Sequence, residues 1–87
     1  MKGRPIPAEV FPPGEFIFDE MEARGWTVEK LSQQAVMPVE EIEVLLNNGA
    51  VTGHRAERLS VAFGSSAQYW ANLWMAWKKY GKPKEVP

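Results

Sequence analysis

Residues 27–46 read Thr27-Val28-Glu29-Lys30-Leu31-Ser32-Gln33-Gln34-Ala35-Val36-Met37-Pro38-Val39-Glu40-Glu41-Ile42-Glu43-Val44-Leu45-Leu46, with a short helical pattern on each side of a proline. Thr27 is a good N-cap, because its hydroxyl can accept a free backbone N–H of the first turn. Behind it, Val28, Leu31 and Ala35 fall on one helical face, which predicts a helix ending near Ala35. The residue before a proline avoids the α region, so Val36-Met37-Pro38 breaks the pattern. Ile42, Leu45 and Leu46 then recur at helical spacing, predicting a second helix over about Val39 to Leu46 that Asn47-Asn48-Gly49 stops. Two short helices, a tight turn and apolar residues placed to fix the crossing angle are the pattern of a helix-turn-helix. Helical hairpins in many bundles share that pattern, so it is only moderately specific taken alone.

The flanking chain is helical too. Pro13-Gly14-Glu15 suits a helix start, with proline in the first turn and an early acid favoured by the helix dipole. Phe16, Ile17 and Met21 supply the apolar stripe of this first helix, and Arg24-Gly25 supplies a basic last turn and a glycine stop. Thr52 caps a fourth helix carrying Ala56, Leu59, Ala62 and Phe63 on one face, closed by Gly64. Ser65 or Ser66 caps a fifth, in which Trp70, Leu73, Trp74 and Trp77 repeat at three- and four-residue intervals. No stretch has strand periodicity, so the fold class is all-α: five short helices in one orthogonal bundle over residues 13–80. Residues 1–12, rich in proline, read as an extended arm, and residues 81–87 as a polar tail.

Composition narrows the function. A chain of 87 residues holds one domain, and a hydrophobic fraction of 45% favours a folded globule. There is no cysteine, which excludes a disulfide scaffold and thiolate metal sites and agrees with a cytoplasmic setting. No apolar run approaches the roughly 20 residues that span a bilayer. Enzyme chemistry finds no footing: Ser60, Ser65 and Ser66 lack a base, no glycine loop suits phosphate, and Glu40 and Glu43 lie on a helix surface. His54 is the lone histidine, without a second ligand at metal spacing, and reads as solvated. Neither metal nor cofactor is expected. The net charge of −1 is unevenly spread. Nine acids between Glu9 and Glu43 face only Arg24 and Lys30, whereas six bases from Arg55 to Lys84 face only Glu57 and Glu85.

Five motifs together carry a family resemblance. They are Pro13-Gly14-Glu15; Glu20-Met21-Glu22-Ala23-Arg24-Gly25-Trp26 running into Thr27-Val28-Glu29-Lys30-Leu31; Leu45-Leu46-Asn47; Thr52, Ala56, Arg58 and Leu59 at T-x-x-x-A-x-R-L spacing; and Phe63-Gly64-Ser65-Ser66-Ala67-Gln68-Tyr69-Trp70-Ala71-Asn72-Leu73. Over residues 13–74 the chain resembles the HigA/VapI-type antitoxins, a branch of the Xre-like helix-turn-helix regulators. That resemblance implies a five-helix, lambda-repressor-like DNA-binding domain in a cytoplasmic bacterial or phage protein. It also implies a homodimer that binds operator DNA, represses its own operon and pairs with a toxin protein. The DNA-binding positions it implies are Thr27 and Val28 at phosphate, and Pro38, Val39, Glu40, Glu41, Glu43, Val44 and Asn47 around the groove.

The residues at those positions leave three readings open. Regulators usually place hydrogen-bond donors there, because guanine and adenine offer acceptors; a glutamate only accepts, chiefly from cytosine. Glu40, Glu41 and Glu43 therefore fit a cytosine reader or a protein-interaction module with an acidic third helix, and for Glu40 and Glu41, in the first turn, the helix dipole alone is a third explanation. Arg55 and Arg58 read as a solvated face with a salt bridge to Glu15 or Glu20. Lys78, Lys79, Lys82 and Lys84 form a basic end, and Lys2 and Arg4 a basic start. Trp70 belongs in the core, while Trp74 and Trp77, beyond the shared motif, are expected at a dimer interface.

Overall fold

The computed structural model describes residues 10–81. Among them the chain forms α1 (Pro13–Arg24), α2 (Val28–Ala35), α3 (Val39–Leu46), α4 (Gly53–Phe63) and α5 (Ala67–Ala76), followed by a π-helical turn, Trp77–Gly81. No strand occurs among the described residues. The arm and tail, with Lys2, Arg4, Lys82 and Lys84, lie almost wholly outside them; Val10 to Pro12 and Gly81 are the exceptions.

Local chemistry explains each boundary. Three hydroxyl caps accept the N–H three residues on: Thr27 from Lys30 at 3.1 Å, Thr52 from Arg55 at 3.2 Å and Ser66 from Tyr69 at 3.0 Å. Of the two serines, Ser66 is thus the cap. Ser65 instead accepts the indole N–H of the buried Trp70 at 2.8 Å. Gly25 (φ 69°) and Gly64 (φ 81°) end α1 and α4 in the left-handed conformation. Val36 (φ 56°) ends α2 the same way, with the Met37 N–H bonded back to the Ser32 carbonyl at 3.1 Å. α5 keeps regular winding only to Ala76, and Trp77 falls in the wider turn that follows.

One core joins all five helices. Ile17 and Met21 of α1, Leu31 and Ala35 of α2, Ile42 and Leu45 of α3, Ala56, Leu59 and Phe63 of α4, and Trp70 of α5 are buried together, with Met37 and Val51 from the connections. Gly14 brings the start of α1 onto the end of α3: a Cβ there would lie 2.7–2.8 Å from the Leu45 and Leu46 carbonyl oxygens and the Asn48 Oδ1. At the other end of α1, Arg24 donates to the Phe63 carbonyl at 3.1 Å and lies over the Trp26 and Phe63 rings, 5.4 and 5.0 Å from their centroids. Trp26 stacks on Phe63, and Phe63 leans on Trp70. The Arg-Gly-Trp and Phe-Gly-Ser-Ser segments therefore meet in space, locking α1 to the α4–α5 junction.

Candidate functional site

The residues expected to contact DNA lie on α2, the turn after it and α3. Within α3, Ile42 and Leu45 are buried, so residues at the opposite phase must face outward. Glu40, Glu43, Val44 and Asn47 are exposed and follow an i, i+3, i+4, i+7 stripe along α3. Pro38 is exposed at the head of that stripe, next to the turn. Thr27 is exposed at the start of α2, whereas Val28 is half-buried and packs against the core. The first-turn N–H groups of Val28 and Glu29 have no partner within the helix.

Other expected contact residues are partly buried or have partners within the chain. Val39 is half-buried. Glu41 is half-buried as well, and its carboxylate accepts from the Arg55 Nε at 3.2 Å. The same guanidinium donates to the Ala50 carbonyl at 3.0 Å, so it ties the first turn of α3 to the loop before α4. This corrects the expected salt bridge: Arg55 pairs with Glu41, not with Glu15 or Glu20, and Glu20 is taken by Arg24 one turn along α1. Asn47 also has a local task, since its side-chain amide donates to the Glu43 carbonyl at 2.9 Å and closes α3. What remains outward and uncommitted is chiefly Glu40, Glu43 and Val44.

Val36 adds an exposed apolar group in the turn itself. It is 67% exposed in a left-handed backbone conformation that a β-branched side chain rarely adopts. The sequence signal for the break lay in Pro38; nothing in it marked Val36 as the residue that turns the chain. His54 is exposed. No group of three or more His, Cys, Asp or Glu able to hold a metal ion occurs among the described residues, and no helix there is long and apolar enough to cross a membrane.

The tryptophans take different positions along α5 and the turn after it. Trp70 is fully buried. Trp74 and Trp77, expected at a dimer interface, are both only half exposed; Trp74 packs against the core and Trp77 lies under Gly81. The large side chains that α5 and its final turn do present outward are Tyr69, Met75 and Tyr80.

No protein-family model matches this chain, and no curated protein sequence does.

Proposed function

We propose that this chain is a homodimeric helix-turn-helix transcriptional regulator of the HigA/VapI antitoxin type, acting by occupying operator DNA. The observation that supports this reading most is the outward stripe on α3, carried by a helix whose opposite face is anchored by Ile42 and Leu45 and whose first turn is braced by Arg55. A rigid helix with one face free is what insertion into a major groove requires. On this reading Glu40 and Glu43 accept from cytosine amino groups, and Val44 meets thymine methyls. The free N–H groups of Val28 and Glu29 meet phosphate beside the Thr27 cap. A dimer sets the two α3 helices about one DNA turn apart. A toxin partner, where present, tightens the complex.

A second reading is favoured by the charge of the same stripe. Its ionised groups are carboxylates, and DNA carries dense negative charge. On that reading α3 is an acidic docking face for a basic protein, and DNA is bound weakly or without sequence preference.

Selection from a randomised duplex library across a salt series separates the two. The regulator reading expects an enriched sequence and an affinity that falls as salt rises. The alternative expects no enrichment even at low salt. The double variant Glu40→Gln/Glu43→Arg adds discrimination. A reader loses its selected sequence on this change, whereas a protein-docking helix gains DNA affinity that the native chain lacks.

A further inference from the structure

We propose that the acidic groove along α1 receives a second copy of this chain, filled by the basic, apolar end of its α5. Glu15 and Asp19 stand one turn apart on α1. Between α1 and the end of α3, Phe18, Leu46 and Asn48 complete a groove of about 380 Å³ beside these carboxylates. Phe11 and Phe16 line a second hollow on their other side. Phe18 is 50% and Phe11 47% exposed, a large amount of aromatic surface next to two acids. Neither carboxylate belongs to an ion pair among the described residues; those pairs engage Glu20 and Glu41.

The end of α5 and the π-helical turn after it complement this groove in both charge and polarity. Met75 is 59% and Tyr80 55% exposed, and they frame Lys78 and Lys79. These ammonium groups lie over the chain's own aromatic rings, Lys78 5.7 Å from the Trp74 centroid and Lys79 5.2 Å from that of Tyr80. Two carboxylates between phenylalanines thus match two ammoniums between a methionine and a tyrosine. Exposed ion pairs alone hold little, so the apolar flanks must supply the adhesion and the charges the register. A symmetric α5-on-α5 contact fits less well: it sets Lys78 and Lys79 against their own copies, and Trp74 is already engaged with its own core. The contact joins unlike patches, and a closed two-fold dimer makes it twice. It rests on the homodimer of the proposed function but not on whether α3 binds DNA or protein.

Charge exchange on the full chain tests it, read by sedimentation velocity at low ionic strength. The wild type is expected to form dimers. Glu15→Lys/Asp19→Lys and Lys78→Glu/Lys79→Glu are each expected to weaken self-association at least tenfold. Mixing the two variants restores both contacts, so a one-to-one complex as strong as the wild-type dimer should form. Glu15→Gln/Asp19→Asn, which keeps the shape, is expected to weaken association part way, and a circular dichroism melt confirms that each variant is folded. A monomeric wild type, a reversed variant that dimerises as well as the wild type, or a mixture that stays monomeric overturns the proposal. So does a Lys78→Glu/Lys79→Glu variant that loses affinity for duplex DNA while its dimer is unchanged.

Discussion

A valine at position 36 closes α2 in the backbone conformation that Gly25 and Gly64 adopt at the ends of α1 and α4. For an L-residue with a side chain that conformation costs about 1–2 kcal/mol, and branching at Cβ makes it worse. Most of Val36 faces solvent, so little burial offsets the strain. Val36→Gly is therefore expected to stabilise the fold by about 1 kcal/mol, part of the relief being cancelled by the greater freedom of glycine in the unfolded chain. Urea denaturation with an unchanged slope checks this; a destabilised variant would show that the side chain holds the turn by contacts that its exposure conceals. Trp70 poses the opposite case. Its indole N–H is buried and satisfied by Ser65. Ser65→Ala should cost about 1–3 kcal/mol through the orphaned donor, and an altered Trp70 fluorescence should accompany the loss.

Between elements, backbone contacts set the geometry as much as apolar side chains do. Gly14 seats α1 on the end of α3 at a separation too close for a Cβ, because two backbone carbonyl oxygens, of Leu45 and Leu46, oppose it beside the Asn48 side chain. Gly14→Ala is expected to destabilise by roughly 1–3 kcal/mol, the range for overpacking a site that cannot yield. Thermal unfolding checks it. Full stability in that variant would mean α1 can slide on α3, and the groove beside Glu15 would then have no fixed shape. The Arg55–Glu41 pair braces α3 from the α4 side, yet both groups are partly exposed, so the pair by itself contributes little. Its importance is positional: it draws Glu41 toward α4 and leaves Glu40 and Glu43 as the outward-facing acids of α3.

At the level of the whole molecule, helix positions were legible in the sequence because each terminus carries its own chemical signal. Thr27, Thr52 and Ser66 mark starts; Gly25, Gly64 and Asn47-Asn48-Gly49 mark stops; and the buried phase of every helix follows from apolar spacing. The pairing of Arg55 was not legible, because ion-pair partners depend on how helices cross and several acids lie at comparable separations in the chain. Nor was the half-burial of Trp77, which follows from the wider winding after Ala76 folding the chain end over its ring. The candidate positions on α3 came from the family resemblance, which implied Val39 and Glu41 alongside Glu40, Glu43, Val44 and Asn47; which of these face outward, and which carboxylates pair within the chain, required the packed structure.

On the proposed reading, the outer stripe of α3 and the first turn of α2 together form a DNA-binding face. Titrating the isotope-labelled chain with a duplex selected from the library, and following its backbone amide resonances by NMR, tests that claim most directly. Saturable shifts are expected, concentrated at Val28, Glu29, Glu40, Glu43, Val44 and Asn47 and weakening as salt is added. Shifts absent from those residues, or confined to Lys78 and Lys79, would contradict it.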